Sequence, residues 1–340
     1  MEAIMELEKA RVKILQFLST PVFAGFSARG PSHYPLPLLS LNRKIHDLVA
    51  PHIYRKVQLT RPDSDVLFLQ SDQTQWKHIQ ILYCGVPFSD EMAAAFLLGQ
   101  LPNLRVFCAS EVTAADEFLC ADFLFSLEVL ELGHVRWGLG LATFVLTHSR
   151  TLTRLMLENV EWTSEMDDVE PIELPRVVRF SGPVELFAHL SMNNVQEVCF
   201  PTPTDAGMID SVLLPSSVRH LTFYRSRGFD ADVGDAANEL FTVLARRCPR
   251  LAMLTGVRFN LENDRLEMHE ALLKMDYLRS LEIVLTSTHM LNTFHVQMGR
   301  VIATELAMYA KNLRDVGFKF SSGGYFEWHY SKSNQQWERV

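Results

Sequence analysis

Residues capable of chemistry are present in this sequence, but their spacing does not bring them together. His289 and His295, in "HMLNTFH", stand six apart, whereas a helical pair of metal ligands needs the i, i+4 spacing that stacks both on one face. His46 and His52 flank the end of an amphipathic stretch and read as solvated or capping residues. The five cysteines (Cys84, Cys108, Cys120, Cys199 and Cys248) are far apart, form no CxxC and are odd in number. That usage is expected of reduced thiols in a cytosolic or nuclear protein. Asp167 and Asp168 sit in "EMDDVEPIE" (165–173), an acidic run that reads as a solvated loop. A phosphate cradle needs GxxxxGK[ST], which is missing, and "GLG" at 138–140 lacks both a third glycine and a strand feeding a dinucleotide turn. Neither GxSxG nor HExxH occurs. The sequence thus predicts a non-catalytic protein without metal or cofactor, with an enzyme built on an α/β sheet as a distant alternative.

The elements that must position these side chains follow a repeat. An apolar residue, two others, an apolar residue, one other and usually a third apolar residue recur along the chain. The copies are "IQILYC" (79–84), "LRVFCA" (104–109), "LEVLEL" (127–132), "LTRLML" (152–157) and "VVRFSG" (177–182). They continue as "VQEVCF" (195–200), "VRHLTF" (218–223), "LAMLTG" (251–256), "LRSLEI" (278–283) and "LRDVGF" (313–318). Successive first residues are 25, 23, 25, 25, 18, 23, 33, 27 and 35 apart. The closing alternation predicts a strand with one face in and one face out. Amphipathic stretches between copies predict helices over 90–100, 114–125, 140–149, 235–247 and 301–312. Breakers precede several strands, in "LPNL" (101–104), "LPSSV" (214–218) and "CPRL" (248–251), where proline stops a helix and extends the chain.

A strand–helix unit of about 20–30 residues is the signature of a solenoid with an inner parallel sheet. The copies resemble leucine-rich repeats, in the irregular form with a helix on the convex side, over roughly residues 76–320. The predicted fold class is therefore α/β, a leucine-rich-repeat-like solenoid of about ten irregular repeats. A plain α/β domain with a parallel sheet is the alternative. The Asn or Cys that the family places after the last Leu is replaced by Val112, Val135 and Val160, which predicts uneven curvature. Residues between the buried positions are predicted to face the concave side: Tyr83, Glu131, Arg154, Met156, Glu158, Arg179, Glu197, His220, Tyr224, Glu282, Asp315 and Lys319. Mixed charge with aromatic and thioether groups suits a surface that binds a target protein, though polar residues also suit a merely solvated strand. The aromatic stretch "GGYFEWHYSKSNQQWERV" (323–340) predicts a C-terminal cap or an interaction segment.

At 340 residues and 48% hydrophobic content, the chain exceeds one ordinary core and suits two domains or one repeat array. Its longest clean apolar run, "GLGLATFVL" (138–146), is about half of what a bilayer span needs. Glu2, Glu6 and Glu8 precede the first basic residues, unlike the start of a secretory signal, and no N-x-[ST] sequon occurs. A cytoplasmic or nuclear location without membrane partners is expected. The net charge of −8 divides unevenly: residues 1–60 hold eight Lys/Arg against four Asp/Glu, or +4, and the remainder 24 against 36, or −12. An acidic body argues against nucleic acid as a partner, and the break near residue 60 suggests two functional parts.

In the basic head, Ile4, Leu7, Ile14, Leu15 and Leu18 fit one helical face, and residues 19–37 read as a Pro/Gly/Ser-rich loop. A second helix begins near Leu38, with Leu41, Ile45 and Leu48 on its apolar side and Arg43, Lys44 and Asp47 on its polar side; Pro51 is predicted to end it. "IYRKVQL" then alternates as a strand able to pair with the first repeat. The run Arg43-Lys44-x-His46-Asp47-Leu48, followed by Pro51, Tyr54, Arg55, Val57 and Leu59, resembles the end of an F-box as found ahead of irregular leucine-rich repeats in fungal proteins. "ILQFLS" (14–19) resembles the earlier F-box helix. The resemblance implies docking onto the Skp-type adaptor of a cullin–RING ubiquitin ligase, with the repeats selecting the protein to be ubiquitylated. The sequence departs from that family in its opening, where "IMELEK" replaces Leu-Pro-x-Glu, and at Leu41-Asn42, which replaces a Val-Cys pair. An insertion of more than ten residues also separates the two helices. Ile14, Leu15, Leu18, Leu38, Leu41 and Ile45 are the expected adaptor-docking residues, and an N-terminal cap on the first repeat is their alternative use. The expected organisation is an F-box-like module over 1–60, a solenoid over 61–320 and a cap or tail over 321–340. A repeat scaffold that has lost adaptor docking is the alternative function.

Overall fold

The structure, a computed structural model, describes residues 50–60, 68, 71, 73–87, 95, 97–112, 123–163, 170–202, 204–223, 236–259, 265–285, 296–320, 325–331 and 333–339. The fold is mixed α/β, with mostly parallel strands and helices between them. Among the described residues no helix is long and apolar enough to cross a membrane. Two compact units divide the chain: Met1–Thr151 with Glu161–Thr163, and Leu152–Val160 with Ser164–Val340.

In the first unit, β1 (Lys56–Leu59), β2 (Ile81–Cys84), β3 (Val106–Ala109) and β4 (Val129–Trp137) pair in parallel, each beside the next in sequence. Lys56 stands opposite Ile81, Ile81 opposite Val106 and Val106 opposite Val129. Each of the last three is the third residue of its motif, so the frame read from the sequence is the register of the ladder. The turns into β2, β3 and β4 each use one carbonyl twice. The N–H groups of Arg105 and Val106 donate to Gln80 O at 2.8 and 3.0 Å, and those of Glu128 and Val129 to Arg105 O at 2.8 and 3.1 Å. Residues 50–53 are helical, and Tyr54 N donates to Ala50 O at 2.9 Å. The helix therefore continues past Pro51 rather than ending there; Tyr54 and Arg55 make the turn into β1. α1 (Leu139–Thr147) packs against β4 and buries Leu141, Phe144 and Val145. Val112 and Val135, at the position where the repeat family places Asn or Cys, are buried and form a parallel bridge. Apolar contact takes the place of a polar ladder at that point.

The second unit continues the pattern through β5 (Arg154–Trp162), β7 (Arg179–Ser181), β9 (Glu197–Phe200), β10 (His220–Phe223), β11 (Met253–Phe259), β12 (Ser280–Leu285) and β13 (Asp315–Phe320). All pair in parallel, and Arg154, Arg179, Glu197, His220, Met253, Ser280 and Asp315 form one cross-strand row. These are again the third residues of their motifs. The first and fourth residues form the core: Leu152, Leu155, Val177, Phe180, Leu278 and Leu281 are all buried. β6 (Ile172–Glu173) and β8 (Leu190–Ser191) make a separate two-stranded parallel ladder, so the acidic stretch 165–173 ends in a short strand. Helices α2 (Val184–Ala188), α3 (Ala206–Ser211), α4 (Ala236–Arg247), α5 (Leu266–Leu272) and α6 (Val296–Tyr309) lie between the strands. α4 falls where the periodicity predicts it, whereas α6 begins five residues before the predicted 301. Of the predicted helix 114–125, the described end at Phe123–Phe125 is not helical. α2 and α3 are too short to show a 3.6-residue period; α3 starts on Asp205, whose carboxylate accepts from Met208 N at 2.8 Å.

One strand breaks the frame. Between Leu254 and Val257 of β11 the register against β12 shifts, and Gly256 sits in the left-handed region with φ +80. A Cβ there would lie 1.9 Å from Phe223 O, so only glycine admits this approach of the two backbones.

Polar side chains do link the turns at four motifs, one position before the strand motif. Asn103 Nδ2 donates to Lys77 O at 2.7 Å, Asn194 Nδ2 to Pro175 O at 2.7 Å and Asn312 Nδ2 to Asp276 O at 2.6 Å. Ser217 Oγ does the same toward Asn193 O at 3.0 Å. Each donor precedes its motif by one residue, and each acceptor precedes the neighbouring motif by two. The side chains therefore satisfy turn carbonyls that the strand ladder cannot reach.

At the far end, β14 (Tyr325–Ser331) and β15 (Gln336–Arg339) form a hairpin antiparallel to β13. The C-terminal aromatics alternate across it. Trp328 and Trp337 are buried, while Tyr325 and His329 lie on the opposite side, exposed.

Candidate functional site

The first and fourth residues of each motif are buried against the helices, so the third and fifth face away from them. That second face of the strands is where the sequence places its candidate binding residues, and it differs between the two units.

In the first unit, Tyr83, Cys108 and Glu131 are cross-strand neighbours in one row. Lys56 Nζ lies 4.6 Å from the centre of the Tyr83 ring, and Cys108 Sγ is 3.4 Å from Glu131 Oε2. Beside that row runs another of half-buried aliphatics, Ile81, Val106 and Val129, none of them among the residues expected from the sequence. Their alternation with Leu82, Phe107 and Leu130 makes these strands apolar on both faces, a pattern visible in the sequence once the frame is fixed.

In the second unit the corresponding row is charged. Arg179 Nε pairs with Glu197 Oε2 at 2.6 Å, and His220 Nδ1 lies 3.8 Å from Glu197 Oε1. Arg154 and Met156 are half-buried beside them, and Glu158 is exposed farther along β5. The next row holds Met156, Ser181 and Cys199. Burial raises the Cys199 thiol pKa, a hydrogen bond with Ser181 opposes that shift, and the Glu158 charge adds to it. Such a thiol stays protonated and is a poor nucleophile. Cys84, Cys108 and Cys248 are buried thiols.

A second group gathers where β12, β13 and the hairpin meet. Glu282 and Glu327 stand on either side of Gly317 in register. A Cβ on Gly317 would lie 2.8 Å from the Tyr325 hydroxyl and 3.3 Å from Glu282 Cγ, so the bare glycine lets the Tyr325 ring cover this point. Burial raises the Glu282 carboxyl pKa; Lys319 counters the shift and Glu327 reinforces it. Although the Tyr325 side chain is about half exposed, its hydroxyl is tucked over Gly317 and is pushed up to about 12, first by this partial burial and then by the negative charge of Glu327 and Glu282. Asp315 pairs with His329 Nδ1 at 2.5 Å across β13 and β14. Glu282, Asp315 and Lys319 are expected on this face from the sequence; Tyr325, Glu327 and His329 are additions. The alternation within "YFEWHY" (325–330) is the signal that points to them.

The structure thus brings Arg154, Met156, Arg179, Glu197 and His220 together on adjacent strands, and Glu282, Asp315 and Lys319 beside the hairpin. Tyr83 and Glu131 form a set of their own in the first unit. Tyr224, His289, His295, Asp167, Asp168, Cys120 and the docking candidates Ile14, Leu15, Leu18, Leu38, Leu41 and Ile45 lie outside the described residues. No protein-family model matches the sequence, and no curated protein matches it.

Proposed function

We propose that this chain is a leucine-rich-repeat-like solenoid that binds a target protein through its strand face, as the target-selecting subunit of a cullin–RING ubiquitin ligase. The observation that carries the solenoid reading is the constant register. Within each unit, strands of successive motifs lie side by side, with β6 and β8 set apart in their own ladder, and the third motif residue recurs at every rung. A doubly wound α/β sheet reverses its strand order at a switch point, which neither unit does. A repeat of this kind presents one wide face, and the ion pair of Arg179 with Glu197 beside the His220 imidazole gives that face the means to select a partner.

Adaptor docking rests on the resemblance of the N-terminal sequence to an F-box. Tyr54, Val57 and Leu59 occupy the first, fourth and sixth positions of the repeat frame, in a strand paired with β2. That part of the resemblance therefore also describes a repeat strand, and docking depends on Ile14, Leu15, Leu18, Leu38, Leu41 and Ile45. The test is a pull-down of purified Skp-type adaptor by the full chain and by a variant lacking residues 1–49, a boundary that keeps β1 in place. The full chain should retain the adaptor and the truncated chain should lose it. Failure of the full chain to bind would leave the alternative, a repeat scaffold without ligase association.

A further inference from the structure

We infer that the groove between α6 and the β14–β15 hairpin is a docking site for an acidic peptide segment of a partner protein, one that carries an aliphatic or aromatic side chain beside its carboxylates. The groove encloses about 670 Å³. Arg300 and Met308 line it from α6, and Lys311 follows just past the helix end. Tyr330 and Trp337 form the opposite wall, cross-strand neighbours with ring centres 5.6 Å apart, and Arg314 stands at the start of β13.

Three cations line this groove and no carboxylate is among the described residues that do so. The nearby acids are turned elsewhere. Glu305, the one carboxylate of α6, is held by Arg265, whose Nε donates to it at 3.0 Å, with His269 nearby on the α5 side. Glu327 lies in the row of Gly317, and Glu338 stands opposite His329, so both use the hairpin face away from Tyr330 and Trp337. Arg300 donates to Gln336 Oε1 at 3.0 Å, a neutral partner, and forms no ion pair among the described residues. Lys311 and Arg314 form no ion pair among the described residues. A cation just past a helix C-terminus complements the helix dipole, which accounts for Lys311 but not for Arg300 in the N-terminal half of α6.

Met308 is 71% exposed at the rim, an unbranched thioether able to adapt to an apolar side chain. Apolar contact beside three fixed cations matches a segment of mixed acidic and apolar character. A nucleic-acid strand suits the site less well, because the rest of the protein is acidic, with −8 overall, and would repel a long phosphate backbone. The groove lies on the helix side of the strands, so this assignment does not depend on what the strand face or the N-terminus binds.

The test is selection from a random decapeptide display library on the full chain, followed by fluorescence anisotropy with an enriched peptide. Enriched sequences should place Asp or Glu within a few residues of Leu, Ile, Phe or Trp. Their affinity should fall about tenfold or more in the Lys311→Glu/Arg314→Glu variant, which removes two charge-assisted contacts, and several-fold in Met308→Ser. All three substituted residues are exposed, so an unchanged thermal midpoint is the check on folding. The inference is overturned if no acidic–apolar sequence is enriched, or if the enriched peptides bind the charge-reversed variant equally well. It is likewise overturned if an oligothymidylate displaces them at lower concentration than unlabelled peptide does, since that would make the groove a phosphate site.

Discussion

His148 gives the first unit a built-in sensitivity to acid. It follows α1 and is 3% exposed, stacked on Phe125 with ring centres 5.3 Å apart and meeting Phe144 edge-on at 4.7 Å. Its Nε2 is buried without a hydrogen-bond partner. Protonation would place a charge among aromatic rings, and burial accordingly lowers its pKa from 6.5 to about 4. In the unfolded chain the same imidazole titrates near 6.5, so between the two values the unfolded state binds more protons. Stability from this residue is complete above pH 6.5, falls as the pH drops, and is lost by about pH 4. At about 1.4 kcal/mol per pH unit the full span amounts to roughly 3 kcal/mol. The assay is urea unfolding of the full chain and of His148→Phe, followed by tryptophan fluorescence at several pH values between about 7.5 and 4.5, which bracket most of the titration. Every other titrating group is shared, so the difference between the two curves isolates His148. The stability of the native chain should fall relative to His148→Phe by about 2 kcal/mol over this range. Parallel curves would refute the reasoning and mean that the folded protein can protonate this imidazole without cost.

Two further substitutions probe how the strands are fixed. Gly256→Ala should destabilise the second unit by more than about 2 kcal/mol, because the left-handed backbone costs an L-residue about 1–2 kcal/mol before the clash with Phe223 O is added. Urea midpoints measure this, and a loss below about 0.5 kcal/mol would mean that the bulge re-forms in another register. Asn194→Ala and Asn312→Ala should each cost about 1 kcal/mol, and the double variant about twice that, because the donors serve different turns. Unchanged unfolding midpoints would show that water satisfies Pro175 O and Asp276 O equally well.

The sequence by itself determined the α/β class, the phase of every strand motif and the identity of the core. Alternation and helical periodicity are local properties, set by burial of one face of each element, and they survive in any packing arrangement. That is why the motif frame alone assigns Leu82, Phe107, Leu155, Phe180 and Leu281 to the interior and Arg179, Glu197 and Glu282 to the other face. What escaped the sequence depends on approaches between distant segments. α2 and α3 are too short to carry a period; α2 packs on β8 and on α3, and α3 packs on α4. Nothing near Gly256 in the chain announces Phe223 O, and nothing near Asn312 announces Asp276 O. The apolar row of Ile81, Val106 and Val129 lies in three separate repeats, and it becomes a row only when parallel pairing aligns them. The groove likewise owes its charge to tertiary structure. Arg300, Lys311 and Arg314 are ordinary cations along the chain, and packing of α6 against the hairpin gathers them while turning Glu305, Glu327 and Glu338 away. Local patterning decides which face of an element is buried. Only the folded chain decides which faces meet.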